Sequence, residues 1–141
     1  MRGIVPTFVV DACLVLLFAL IGRASHVEGV TVVGVLSTAW PFLVGLALGW
    51  VAVRLLWHAW PREVVQAVPV WLVTVAGGLV LRVASGGGGA PLPFVVVATV
   101  VLGAFIMGWR ALAAPLRRRA WAPNPEGRKG NPPGRANGEP V

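Results

Sequence analysis

The sequence predicts an all-α integral membrane protein, a four-helix bundle followed by a disordered basic C-terminal tail. Of the 141 residues, 57% are hydrophobic and only 12% are charged, whereas a soluble domain usually carries about 25% charged residues. Four apolar runs are each long enough to cross the ~30 Å hydrocarbon layer as a helix. Residues 117–141, rich in arginine, proline and glycine, have almost nothing to bury and predict the tail.

The four apolar runs predict helices at about residues 4–22, 38–57, 64–82 and 93–112, in one domain over residues 1–116. Valine is abundant and favours strands in water. Strands, however, usually stop after roughly 5–6 residues, and these runs have no turn residues at that spacing. A membrane barrel would need alternating polarity, which the runs lack. Helices remain, because they satisfy their own backbone hydrogen bonds in lipid.

The connections fit this arrangement. The short connection at residues 58–63 predicts that helices two and three are antiparallel neighbours. Residues 82–93 contain four consecutive glycines but lack the lysine and Ser/Thr of a P-loop, so they predict a flexible turn. Residues 27–38 are apolar enough to form a short interfacial helix. Ser37 or Thr38 would then cap helix two, with Pro41 in its first turn.

The distribution of basic residues predicts the orientation. Four crossings place both termini on one side of the membrane, and this side receives ten basic residues: Arg2, Arg54, Arg62, Arg110, Arg117, Arg118, Arg119, Arg128, Lys129 and Arg135. The other side receives two, Arg23 and Arg82. Because cytoplasmic loops carry an excess of Lys and Arg, we expect a multi-pass protein of the cytoplasmic membrane with both termini cytoplasmic. Anionic lipid headgroups are its expected partners on that side.

Composition argues against several classes of function. The net charge of +7 could suggest nucleic acid, but no folded polar face carries the basic residues, so no nucleic-acid partner is expected. Cys13 is the single cysteine, which excludes an intramolecular disulfide and a cysteine-based metal cluster. His26 and His58 are predicted on opposite sides of the membrane and cannot share an ion within one chain. We therefore expect no metal site and no cofactor.

Asp11 is the single charge in the first apolar run, about 13 Å into the bilayer by helical rise. A carboxylate there is costly, so it should face the bundle interior, be protonated or have a partner. The candidate partners are Arg54 and Arg110, and the polar side chains Gln66 and Thr74, and the sequence does not choose among them. A structural pairing is favoured over a proton or cation site.

The stretch LIGRASH ends helix one at the predicted outer face. Arg23 can keep its stem in lipid while its head reaches water. With His26 and Arg82, it forms a candidate outer-face site for a headgroup, a solute or a partner. The adjacent residues Ser25, His26 and Glu28 cannot normally aim at one another as a catalytic triad requires, and Arg23 interrupts a signal-peptide cleavage site. Anchoring at the interface is the favoured interpretation.

Small residues predict close helix packing. Gly45 and Gly49 form a GxxxG motif on helix two, and Ala104 and Gly108 repeat the spacing on helix four. Such pairs let another helix approach closely. Packing within the bundle explains them at least as well as a homo-oligomer does. Pro69 and the Gly77–Gly78 pair could bend helix three.

Several short motifs occur in a characteristic order: an aspartate and then FALIGRASH in helix one, TAWPFLVG opening helix two, GGLVLR closing helix three and GWR closing helix four. In this order the chain resembles the domain of unknown function 3054 family over about residues 5–112. The resemblance implies a small four-helix membrane protein of bacteria or archaea, with no assigned activity. The matching positions of interest are Asp11, Arg23, His26, Pro41, Arg82 and Arg110.

Three hypotheses for function follow. The first is a structural or interaction role in the cytoplasmic membrane, without catalytic activity. The second is a small oligomeric transporter or channel that moves a proton or small solute with Asp11 as its titratable site. The third is a membrane enzyme that acts on lipid at the outer face, using Arg23, His26 and Arg82.

Overall fold

The computed structural model describes residues 4–24 and 30–120, and four α-helices account for most of them. They are α1 (Ile4–Ala24), α2 (Val32–Trp57), α3 (Val64–Ala84) and α4 (Leu92–Ala120). Each is long and apolar enough to cross a membrane, α4 over Leu92–Pro115. The predicted fold class, an all-α membrane bundle of four helices, is confirmed. Of the predicted tail, residues 117–120 continue α4, and residues 121–141 lie outside the described residues.

Each helix packs against two others, so that the four form a closed ring. α1 contacts α2 and α4, and α3 also contacts α2 and α4. Neighbouring helices are antiparallel throughout. Gly45 and Gly49 of α2, for example, face Thr74 and Val70 of α3, in reverse order along the chain. The core is apolar and contains the residues Val15, Phe18, Phe42, Leu46, Trp50, Val53, Ala67, Val70, Val75, Ala98, Leu102 and Ile106.

The outer surface of the bundle is also apolar. Val65, Leu92 and Leu112 are among many large hydrophobic side chains that are mostly exposed, and such side chains occur on all four helices. In water this much apolar surface would drive association. Lipid is the solvent in which this surface is stable.

Glycine brings α2 and α3 into backbone contact. A Cβ atom added at Gly45 would lie 2.7 Å from the carbonyl oxygen of Thr74, and one at Gly49 would lie 2.9 Å from that of Val70. On the facing helix, a Cβ atom at Gly78 would overlap the ring of Phe42. The GxxxG motif of α2 is therefore used inside the bundle. Ala104 is exposed on α4, and open space surrounds the missing side chain of Gly108.

A tryptophan joins α3 to α4. The indole Nε1 of Trp71 donates to the carbonyl oxygen of Thr99 at 2.9 Å. The hydroxyl of Thr99 donates in turn to the carbonyl oxygen of Val95 at 2.7 Å. Gly103 leaves the room that the indole needs, because a Cβ atom there would lie 3.0 Å from Trp71 Nε1. The contact satisfies a polar N–H that lipid could not.

Helix two begins earlier than the sequence predicts. Thr31 is its N-cap and accepts a hydrogen bond from the backbone N–H of Gly34 at 3.1 Å. Ser37 and Thr38, the predicted caps, lie inside the helix, and Pro41 lies in its third turn. At ~1.5 Å per residue, the 26 residues span about 39 Å, which is more than the ~30 Å thickness of the hydrocarbon layer. Residues 27–29 of the predicted interfacial helix lie outside the described residues.

The other helix ends differ by smaller amounts, except at α4. α1 and α3 each extend two residues past their predicted ends, to Ala24 and Ala84. α4 continues from residue 112 to Ala120 and so passes through the predicted domain boundary at residue 116. Between α3 and α4, Gly86, Gly88 and Gly89 have positive φ angles, which other residues rarely adopt, so glycine is required in this turn.

Candidate functional site

Two groups of polar side chains lie at opposite ends of the bundle. One lies at the end that holds the start of α1, the α2–α3 connection and the last turns of α4, which we call the terminal end. There Asp11 and Arg110 are both fully buried. At ~1.5 Å per residue, Asp11 lies about 10 Å along α1 from Ile4. Such a depth requires the charge to be compensated by neighbours.

Arg110 provides this compensation as a bidentate partner. Its Nη1 donates to Oδ1 of Asp11 at 2.8 Å, and its Nη2 donates to Oδ2 at 2.7 Å. The two parallel, charge-assisted bonds match the planar guanidinium to the planar carboxylate. Because Asp11 is on α1 and Arg110 on α4, the ion pair joins the first and last helices of the ring.

Two tryptophans complete the carboxylate's hydrogen bonds. Trp50 of α2 donates from Nε1 to Oδ2 at 2.9 Å, and Trp109 of α4 donates from Nε1 to Oδ1 at 2.9 Å. Each oxygen thus accepts two hydrogen bonds, which uses the roughly four acceptor positions of a carboxylate. Asp11 therefore holds three helices together.

Arg110 is also bonded to the backbone. Nη1 donates to the carbonyl oxygen of Ile106 at 2.8 Å, and Nη2 donates to that of Pro61, in the α2–α3 connection, at 3.1 Å. The guanidinium lies 5.0 Å from the ring centroid of Trp109, within cation–π range. Among the guanidinium nitrogens of Arg110, the buried Nε has no acceptor among the described residues. We call Asp11, Trp50, Trp109 and Arg110, with the oxygen of Pro61, the Asp11 network.

The other candidate partners of Asp11 lie elsewhere. Arg54 stacks on Trp60, with 5.7 Å between the guanidinium carbon and the ring centroid. The side-chain oxygen of Gln66 accepts from the backbone N–H groups of Arg62 and Glu63 at the start of α3. Thr74 donates to the carbonyl oxygen of Val70 on its own helix. The structure therefore selects Arg110 and leaves Arg54 outside the network.

Trp50 and Trp109 are not among the partners that the sequence predicts for Asp11. One signal was present. A buried indole N–H needs an acceptor, and Asp11 is the only carboxylate within the four apolar runs. Two tryptophans on faces directed into the bundle could therefore have been assigned to it.

The second group of polar side chains surrounds a cavity of about 440 Å³ at the opposite end of the bundle. Arg23 from α1 and Arg82 from α3 both line it, with Thr38 of α2. The other described residues of the lining are apolar or glycine: Phe18, Ala19, Gly22, Gly88, Pro91, Pro93, Phe94 and Val97. The two arginines that the sequence assigned to one face of the membrane thus share one cavity. His26, the third residue of that candidate site, lies outside the described residues.

Both guanidinium groups are held in place. Arg82 donates from Nε to the carbonyl oxygen of Gly89 at 2.9 Å, and its guanidinium carbon lies 4.5 Å from the ring centroid of Phe94. Arg23 packs its head against Gly34 near the start of α2, where an added Cβ atom would lie 2.5 Å from Cζ of Arg23. The cavity therefore has a fixed positive rim.

Comparison with known proteins places the chain in a family. The model of the family described as "Protein of unknown function (DUF3054)" matches residues 8–113, about three quarters of the 141-residue chain. The chain belongs to this family. No curated protein and no solved structure matches it.

The resemblance that the sequence motifs suggested is thereby confirmed, and the family's description assigns no activity. In this DUF3054 protein, the matching positions of interest fall mainly at the two polar groups. Asp11 and Arg110 form the ion pair, while Arg23 and Arg82 line the cavity. Pro41 is buried inside α2.

Proposed function

We propose that this DUF3054 protein has a structural or interaction role in the cytoplasmic membrane, as a fixed helical scaffold without catalytic activity. The observation that carries this proposal is the Asp11 network. It ties α1, α2 and α4 together with the α2–α3 connection, and it satisfies both oxygens of the carboxylate. Buried polar networks rigidify a fold when their members have partners, and here the carboxylate and both terminal nitrogens of Arg110 have them.

The same network argues against proton or solute movement through Asp11. A proton relay needs a carboxylate that can gain and lose a proton while the protein stays folded. At Asp11, protonation would remove the charge that faces Arg110 and displace a donor from at least one oxygen. The transporter hypothesis therefore receives no support from this geometry.

For the third hypothesis, a membrane enzyme that acts on lipid, the cavity supports binding of a ligand but not catalysis. The cavity offers two guanidinium groups and the hydroxyl of Thr38. None of the lining residues, all in the described part of the chain, is a histidine, a carboxylate or a cysteine. General acid–base and nucleophilic catalysis rely on such groups. Interaction without turnover is the role that fits these groups.

We further propose that the termini are cytoplasmic. Arg54, Arg62 and Arg110 belong to the terminal end, and α4 continues there into the basic run of residues 117–119. Among the described residues, Arg23 and Arg82 are the basic residues at the opposite end. An excess of arginine marks the cytoplasmic side of a membrane protein, and it would place the end of α4 near anionic headgroups.

A reporter fusion tests the orientation. Alkaline phosphatase fused after Trp121 should be inactive, because this enzyme needs the oxidising exterior, and a fluorescent protein at the same site should fold and fluoresce. Fusions after Gly87, in the α3–α4 turn, should show the opposite pattern. Active phosphatase after Trp121 would contradict the proposed orientation.

A flux measurement tests the scaffold role. The full chain, reconstituted into liposomes that contain a pH-sensitive dye, should pass no more protons under an imposed potential than protein-free liposomes do. Asp11→Asn should leave this rate unchanged, as should the matched control Glu63→Gln, whose exposed carboxylate lies outside the Asp11 network. Proton flux that the wild-type chain supports and Asp11→Asn abolishes would refute the scaffold role in favour of a channel or transporter.

A further inference from the structure

The cavity at the opposite end combines positive charge with apolar walls. Arg23 and Arg82 come from different helices, and no carboxylate occurs among the described residues that line the cavity. Both guanidinium groups place positive charge at the rim of the cavity, and such charge attracts an anion.

Arg82 is preorganised for such a group. Its Nε is bonded to Gly89, and its guanidinium plane rests on Phe94. Within residues 4–24 and 30–120, the carbonyl oxygen of Gly89 is the one acceptor that Arg82 contacts. Its terminal nitrogens are therefore available to a ligand. The glycine turn permits this arrangement, because a Cβ atom at Gly88 would lie 2.9 Å from Nη2 of Arg82.

The remaining walls fit an apolar chain attached to the anion. Ala19 and Gly22 of α1 line the cavity together with Phe94 and Val97 of α4. Val97 is 51% exposed, and open space surrounds the missing side chain of Gly22. The cavity wall is therefore continuous with the surface that faces lipid. A volume of about 440 Å³ accommodates a headgroup with the first part of a chain, since ligand pockets range over about 300–1,000 Å³.

We propose that this cavity binds the phosphate group of an anionic phospholipid. The guanidinium group of Arg82 contacts the phosphate oxygens, a geometry that arginine favours, and the hydroxyl of Thr38 donates to another oxygen. Arg23 adds positive charge at the same rim. The acyl chains leave between α1 and α4 along Gly22 and Val97. This inference rests on the proposed interaction role, for which it names the ligand class.

Native mass spectrometry of the full chain tests the proposal. The protein is extracted from nanodiscs of mixed phosphatidylglycerol and phosphatidylcholine, and the lipids that remain bound are counted. Wild-type protein should retain phosphatidylglycerol selectively. Arg82→Gln should weaken this retention about tenfold, the loss expected for one charge-assisted contact. The matched control Arg62→Gln, an exposed arginine at the terminal end, should retain as much as wild type.

A second variant distinguishes a loss of lipid binding from a loss of folding. Gly22→Leu keeps both arginines, places its side chain in open space and improves helix propensity. It should fold, as circular dichroism would show, and should also lose selective retention by about tenfold. Equal retention by wild type, Arg82→Gln and Gly22→Leu would overturn the proposal.

Inorganic phosphate distinguishes the two sources of the anion. In nanodiscs of phosphatidylcholine alone, 10 mM phosphate should raise the melting temperature of the wild-type chain by no more than it raises that of Arg82→Gln. If the rise were larger for the wild-type chain, and phosphatidylglycerol were not retained, the cavity would be a site for free phosphate and the lipid proposal would be wrong. Failure here leaves the flux result unaffected, so the scaffold role and the lipid site are refuted by different measurements.

Discussion

Arg110→Met should lower the free energy of unfolding by about 3–5 kcal/mol. Methionine retains most of the side-chain length, so the loss comes from the charge rather than from a cavity. The carboxylate of Asp11 would stay buried with two tryptophan donors but no cation. Because lipid surrounds the bundle, neither water nor another charge can replace the guanidinium without partial unfolding.

Equilibrium unfolding in mixed detergent and SDS micelles, followed by circular dichroism, measures this loss. Arg54→Met is the matched control, since Arg54 is also an arginine at the terminal end but stacks on Trp60 without contacting Asp11. We expect the control to cost less than about 1 kcal/mol, the scale of a surface charge interaction. Equal costs at the two positions would show that the network contributes no special stability.

Gly45→Ala and Gly49→Ala should each destabilise the bundle by about 1–3 kcal/mol. Alanine ordinarily stabilises a helix relative to glycine by as much as about 1 kcal/mol. At these positions the sign reverses, because the added methyl group would meet the backbone of α3 at 2.7 Å from Thr74 and 2.9 Å from Val70. Backbone atoms cannot rotate away, so α2 must move from α3.

Gly108→Ala provides the matched control for this prediction. Open space surrounds that glycine on α4, so alanine there should be neutral or stabilising in the same unfolding measurement. If Gly45→Ala and Gly108→Ala shifted stability in the same direction, the close packing of α2 on α3 would be refuted.

The sequence predicts the number, order and antiparallel arrangement of the helices, because lipid leaves few alternatives for long apolar runs. It does not predict where α2 begins or α4 ends. Those ends depend on local interactions outside the hydrocarbon layer, such as the hydrogen bond from the backbone N–H of Gly34 to the hydroxyl oxygen of Thr31. A helix length that is predicted from the thickness of the hydrocarbon layer does not include residues beyond that layer.

The candidate sites, too, can be predicted from the sequence only in part. The need of Asp11 for a partner follows from its depth in an apolar run. The selection of Arg110 over Arg54 does not, since it depends on the rotation of each helix about its axis, which packing alone sets. Likewise, the shared side of Arg23 and Arg82 follows from topology, whereas the cavity between them depends on the gap between α1 and α4.

A double-mutant cycle on Asp11 and Arg110 tests the structural account most directly. Asp11→Asn and Arg110→Met should each cost about 3–5 kcal/mol, because each leaves one buried charge alone. The double variant removes both charges and should be no less stable than either single variant, so that the coupling amounts to at least ~3 kcal/mol, the cost of one single variant. Costs that simply add would show that the two side chains do not interact in the folded protein and would contradict the account.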